Sequence, residues 1–207
     1  MFKAVFFDFD GVLTLDRTGS LTTTRYISKV TGIDPRRVEA AFALFNDVLT
    51  RGKCTHAGIW PDIRRTLRAD VDITLLEEAF ASTPLNDEMF ALARRLRRHH
   101  IVGVITDNNQ DRMDCIERLH RLSSYFDPIV VSAAVGSTKA NRRIFEHALS
   151  LAGVEPPECI FIDNSVRNLS VPREMGIVGI HFDDVKSDVA GLIGELGERG
   201  VVLGGAT

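Results

Sequence analysis

The chain has 207 residues, 44% of them hydrophobic and 26% charged, with a formal net charge of -3. That length suits one full α/β domain plus a modest insertion, and the slight acidity argues against nucleic acid or an anionic membrane as a partner. Cys54, Cys115 and Cys159 are scattered and form no Cys-x-x-Cys pair, which argues against a disulfide framework and a zinc site and fits a reducing compartment.

Acid arrives at Asp8, too early for a secretion signal, and no apolar run is long enough to span a bilayer, so a cytoplasmic protein is expected. The first apolar run is Ala4-Val5-Phe6-Phe7. It is continuous rather than alternating, as expected for a parallel strand covered on both faces. Residues 16–84 contain no convincing strand. Their periodicity and punctuation predict helices over 22–30, 35–49 (with Pro35 at its start), 56–67 and 74–81. A helical pattern over 86–100 then precedes a second apolar run at 101–105. A third run follows at 129–131, a helix around 144–151, a fourth run at 159–162 and a fifth at 177–180. Strands alternating with helices imply right-handed crossovers and a Rossmann-like, doubly wound parallel sheet. The expected organisation is a core of residues 1–15 and 85–200, a helical block of residues 16–84 inserted after the first strand, and a loose Gly-rich tail at 201–207.

Each of the first four runs delivers polar residues at its carboxyl end, where open α/β sheets build their sites. Asp8-Phe9-Asp10-Gly11 follows the first, Thr106-Asp107-Asn108 the second, Ser132 and then Lys139 the third, and Asp163-Asn164-Ser165 the fourth. Residues two apart at a strand end point to the same side, so Asp8 and Asp10 can face one ligand. Gly11 permits a tight turn that brings backbone N–H groups near an anion.

Together these segments resemble the four motifs of the haloacid dehalogenase-like superfamily. Phe-Asp-Phe-Asp-Gly-Val-Leu-Thr is similar to the first, Ile-Thr-Asp-Asn to the second, Ser132 to Lys139 to the third, and Phe-Ile-Asp-Asn-Ser-x-x-Asn, ending at Asn168, to the fourth. The resemblance runs from Val5 to Phe182 and places the helical block where the family has a small cap.

The resemblance implies a magnesium-dependent hydrolase of a small phosphomonoester. Asp8 would be the nucleophile and form an aspartyl-phosphate, and Asp10 would be the acid and base for the leaving alcohol and the attacking water. Mg²⁺ would be held by the Asp8 carboxylate, the Asp10 backbone carbonyl and Asp163. Thr106, Asp107 and Lys139 form the expected phosphate-binding set, with Lys139 neutralising the phosphoryl oxygens. The chain departs from the family at Asn164, where many relatives carry a second acid, and at Ala140, where proline is usual. Asn164 is expected to orient a metal-bound water, and Asn168 to fix the loop.

His56 and Trp60, one helical turn apart in the cap, are candidates for substrate contact. The arginines at 94, 95, 97 and 98 read as the wet face and cationic end of an amphipathic helix rather than a nucleic-acid surface. The expected partner is a small phosphorylated metabolite, and the protein would be a monomer or homodimer. A phosphotransferase or phosphomutase using the same Asp8 intermediate is one alternative. A non-catalytic relative that binds a phosphorylated metabolite is the other.

Overall fold

In the computed structural model, which describes residues 1–205, the apolar runs form the strands Ala4–Phe7 (β1), Ile101–Thr106 (β2), Ile129–Val131 (β3), Cys159–Asp163 (β4) and Val178–His181 (β5). They make one parallel sheet in the order β3-β2-β1-β4-β5. Phe7 pairs with Val104 on one side and Ile162 on the other. That register brings Asp8, Thr106 and Asp163 to one edge of the sheet. All five strands run the same way, so their carboxyl ends, and the polar residues that follow them, gather there.

Eleven α-helices are described. Gly19–Thr31 (α1), Pro35–Ala43 (α2), Asn46–Thr50 (α3), His56–Leu67 (α4) and Thr74–Ala81 (α5) lie between β1 and β2. Asp87–Leu96 (α6), Gln110–His120 (α7), Ser132–Val135 (α8), Arg142–Ala152 (α9), Ser170–Glu174 (α10) and Val189–Glu198 (α11) serve the sheet. Local chemistry sets several of the starts. The side chains of Thr18, Asp34, Thr55, Asn86 and Asn109 each accept a backbone N–H from the first turn of the helix that follows, the contact that satisfies an otherwise orphaned donor.

Alternation along the strands divides the core. Val5, Phe7, Val102, Val104, Ile160 and Ile162 pack with Leu92 and Leu96 of α6, Ile116 of α7 and Leu192 and Leu196 of α11. Ala4, Phe6 and Phe161 face the other way, onto Ile144, Phe145 and Ala148 of α9. Phe6, Phe7 and Phe161 have no exposed surface, and burying such a side chain is worth about 1.5–3 kcal/mol. The helical insertion has a core of its own, built on Ile27, Phe42, Trp60, Ile63, Leu67 and Phe80, which one core residue, Cys115 of α7, also joins. The two chain connections of the insertion lie side by side, with Leu15 N–H donating to Pro84 O (2.9 Å) and Asn86 N–H to Leu13 O (2.9 Å).

Three features differ from the sequence reading. The helix expected over 35–49 breaks at Leu44 and Phe45 into α2 and α3. The break lets Phe42 face the insertion core while α3 docks on α8, where Ser132 Oγ donates to Thr50 O (2.7 Å). The tail is not loose as far as residue 205. Val201 is buried, and Gly204 exchanges backbone and side-chain bonds with Arg95; residues 206 and 207 lie outside the described residues. Helix α11 carries Gly191, Gly194 and Gly197, poor helix formers that hide its pattern.

Candidate active site

Asp8 ends β1. Its Oδ1 accepts from the Phe9 backbone N–H (2.7 Å) and its Oδ2 lies 2.8 Å from Lys139 Nζ. The chain then turns sharply through Gly11 at φ 76. A side chain there would be strained by the left-handed backbone and would also collide with the Asn164 amide. The turn is closed by Thr14, whose Oγ1 accepts from Gly11 N–H (3.1 Å) and donates to Asp16 O (2.9 Å).

Lys139 is the centre of the charge arrangement. Its Nζ donates to Asp163 Oδ2 (2.7 Å) while its backbone N–H donates to Asp107 Oδ1 (2.8 Å). Asp163 is fully buried. Besides Lys139 it accepts from Ser165 N–H (2.7 Å) and from Asn168 Nδ2 at 3.1 and 3.2 Å. Four donor contacts fill the carboxylate's acceptor positions.

Burial pushes the Asp8 carboxyl up to about 8, against the pull of Lys139 and with Asp163 and Asp10 adding repulsion. Burial works against the charge on Lys139 too, but Asp8, Asp163 and Asp107 outweigh it and raise its pKa. Asp107 is raised by burial, with Lys139 opposing. One ammonium thus joins Asp8 and Asp163.

Asp10 is held differently. Arg112, from the first turn of α7, grips it as a fork, with Nη2 to Oδ1 at 2.8 Å and Nη1 to Oδ2 at 2.9 Å. Asn108 Nδ2 adds a third donor to Asp10 Oδ2 (2.9 Å) and lies 3.4 Å from Thr106 Oγ1. Asn108 is itself fixed by its N–H to Ser132 Oγ (3.0 Å).

Above this edge lies a cavity of about 680 Å³. Its floor includes Asp8, Asp10, Thr106, Asp107, Lys139 and Asn164, and its roof includes Phe42, His56 and Phe80 of the insertion. His56 Nδ1 lies 2.7 Å from Asp111 Oδ2, so the insertion is bonded to α7 across the cavity wall. That bond outweighs partial burial and holds the Asp111 carboxyl below its usual range.

A model of the haloacid dehalogenase-like hydrolase family matches residues 2–176. The chain belongs to this family. Glyceraldehyde 3-phosphate phosphatase of Methanothermobacter thermautotrophicus is 28% identical over 180 residues, covering 79% of this chain and 77% of that protein. The rat bifunctional epoxide hydrolase 2 is 29% identical over 118 residues, 55% of this chain but 21% of that much longer protein. A sesquiterpene phosphatase of Aspergillus oryzae is 28% identical over 97 residues, 46% of this chain and 50% of that one. Among solved structures, a HAD family enzyme from Bacteroides thetaiotaomicron superposes with a TM-score of 0.73 at 21% identity, covering 93% of this chain and 98% of that one. The same enzyme in complex with magnesium and inorganic phosphate gives a TM-score of 0.72 at 24% identity, covering 87% and 94%.

Within this haloacid dehalogenase-like frame, the structure gathers Asp8, Asp10, Thr106, Asp107, Lys139 and Asn164 around one cavity. Asp163, the acid expected to bind metal, is fully buried, and its carboxylate accepts from Lys139, Ser165 and Asn168. Its neighbour Asn164 lines the cavity. The two candidate substrate residues also separate. His56 lines the cavity, whereas Trp60 packs in the insertion core and donates Nε1–H to Val71 O (3.0 Å).

The arginine run serves the chain's own backbone, with Arg95, Arg97 and Arg98 donating to Gly204 O, Ser124 O and Gly205 O. Sequence reasoning missed Arg112 and Asp111. The available signal was a cation at position 112, three and four residues before Cys115 and Ile116, in the buried stripe of α7.

Proposed function

We propose that the chain is a magnesium-dependent phosphohydrolase acting on a small phosphomonoester, with the helical insertion serving as a cap and Asp8 as the nucleophile. The observation that supports this most directly is the bridge from Asp8 through Lys139 to Asp163 at the cavity floor, with Asp10 two residues beyond Asp8. An anionic nucleophile can approach an anionic phosphate only where positive charge is fixed beside both.

Asp8 Oδ attacks phosphorus as the bond to the leaving oxygen breaks, and Asp10 gives that oxygen a proton. Water then attacks the aspartyl-phosphate, the Asp8–phosphorus bond breaks, and Asp10 takes the water's proton. Lys139 neutralises a phosphoryl oxygen and keeps Asp8 aimed, while Thr106 donates to the same group. The donor set suits a hard cation. The Asp8 carboxylate, the Asp10 carbonyl and the Asn164 amide oxygen would hold Mg²⁺, with Asp163 setting Lys139 rather than binding metal. When bound, Mg²⁺ supplies the positive charge that lets Asp8 ionise and face a phosphate. The cap closes the cavity over the substrate and excludes bulk water. Asp10 disfavours a dehalogenase, which has no leaving alcohol to protonate.

The test is phosphate release from a panel of phosphorylated small molecules with Mg²⁺. Turnover by wild type that chelator and Asp8→Asn both abolish supports the reading. Full activity in Asp8→Asn sinks it. Asn164 favours one other reading, a binding protein without turnover. That reading predicts saturable binding of phosphorylated ligands and no product with any of them.

A further inference from the structure

Two buried side chains of the insertion carry polar atoms that find no partner among the described residues. His56, at the start of α4, is 4% exposed, and Thr23, in α1, is 6% exposed. Both line the cavity. Asp111 Oδ2 lies 2.7 Å from His56 Nδ1 and accepts the His56 backbone N–H at 3.0 Å. Despite partial burial, that contact holds the Asp111 carboxyl below its usual range. The ionised carboxylate therefore accepts from Nδ1–H, which leaves Nε2 as the open atom of the ring. Phe42 and Phe80, with ring centres 6.2 and 5.5 Å from that of His56, fix its plane. Neither Nε2 nor the Thr23 hydroxyl is bonded to a described group, and neither is sealed in the interior. Polar atoms so placed are unfavourable once water is excluded, unless a ligand completes them.

The charges around the cavity are already paired. The arginines and lysine in its lining are Arg17, Arg112 and Lys139. Arg17 forks onto Asp184 at 2.8 and 3.0 Å, Arg112 forks onto Asp10, and Lys139 lies between Asp8 and Asp163. None of these three cations is left to meet a second anionic group on a substrate.

We infer that His56 Nε2 and the Thr23 hydroxyl form a subsite for hydroxyl groups of the leaving alcohol, so that the substrates are monophosphates of small uncharged polyols or sugars. The inference rests on the phosphohydrolase reading and names its substrate class. A hydroxyl both donates and accepts, so it satisfies Nε2 in either protonation state and the threonine hydroxyl as well. Asp111 is a positioning residue, which holds the imidazole through Nδ1. A carboxylate or second phosphate on the alcohol would be desolvated against Phe42 and Phe80 without a cation to pair it.

The test measures kcat/KM with Mg²⁺ on two pairs of esters that differ in their hydroxyls. One pair is glycerol phosphate and propyl phosphate, and the other is glucose phosphate and cyclohexyl phosphate. Wild type is expected to favour the hydroxylated member of at least one pair by about 100-fold, because a site built to bond hydroxyls rejects analogues that lack them. His56→Phe and Thr23→Val should each lower that ratio by about 10-fold, on proteins whose circular dichroism matches wild type. General damage to the site would lower both rates and leave the ratio in place. Adding a carboxylate to the favoured ester, as in phosphoglycerate or glucuronic acid phosphate, should lower kcat/KM by at least about 10-fold.

A wild type that releases phosphate from the panel but favours the hydroxylated member of neither pair would overturn the inference and leave the phosphohydrolase reading standing. So would variants that keep the wild-type ratio, or a carboxylated ester turned over as well as the favoured one. A wild type inert to all these esters and to the panel would overturn both readings. If His56→Phe fails to fold, Thr23→Val decides the matter, because its hydroxyl bonds no described group.

Discussion

Lys139 Nζ lies 2.7 Å from Asp163 Oδ2, and both side chains are withdrawn from solvent. The same ammonium is 2.8 Å from Asp8, so one cation serves both groups. Lys139→Met would leave Asp163 without a counter-charge, and removing one partner of a buried pair costs about 3–5 kcal/mol. Urea unfolding should show a loss of that order, together with loss of turnover. A loss below about 1 kcal/mol, the range of exposed pairs, would contradict the buried arrangement.

Asp8 gives a pH dependence of stability. Its pKa is raised in the folded chain to about 8 by burial, so the folded state holds a proton that the unfolded chain releases near pH 4. Stability therefore falls as pH rises from about 4 towards 8. In metal-free buffer Asp8→Asn should be about 1–2 kcal/mol more stable than wild type at pH 8 and close to it at pH 4. Thermal melts across that range check the sign. An asparagine variant less stable than wild type at pH 8 would contradict it.

Asn164 stands at the cavity wall where its neighbour Asp163 is already saturated. Restoring an acid with Asn164→Asp should tighten Mg²⁺ binding by about 10-fold, because affinity at oxygen sites rises with ligand charge. Titration calorimetry of the metal into the protein reads this directly. Unchanged affinity would place Asn164 outside the ligand set.

The fold was legible because its five strands are short continuous apolar runs, and because Gly11 marks the turn after β1 and Pro35 the start of α2. The site was legible for a related reason, since each strand end delivers its polar residues by sequence position alone. What stayed hidden depends on packing across the chain. Asp163 and Asn164 are adjacent in sequence, and only the burial of one decides which faces the cavity. Trp60 and His56 share a helix, yet Val71 accepts the indole N–H and draws Trp60 inward. Arg112 reads as an ordinary surface cation until Asp10, 102 residues earlier in the chain, is brought beside it.

His56 and Asp111 join the insertion to α7, and His56 holds the Asp111 carboxyl low. A depressed folded pKa adds stability above the ordinary carboxylate range, and that stability is lost as pH falls through the folded value. Asp111 is about a third exposed, so solvent screening limits the effect of Asp111→Asn to about 0.5–1 kcal/mol near neutrality. The difference between variant and wild type should shrink in acid, as measured by denaturant midpoints at two pH values. A gap that widens in acid would contradict the pairing.

In the proposed reaction Asp8 takes the phosphoryl group before water does. The most direct test is a rapid-mixing measurement of p-nitrophenol release by Asp10→Asn, in which the first step needs no proton and the second lacks its base. A burst of about one equivalent per enzyme followed by slow turnover is expected, with the burst lost when Asp8→Asn is added. Linear release without a burst, or a burst that survives Asp8→Asn, would contradict it.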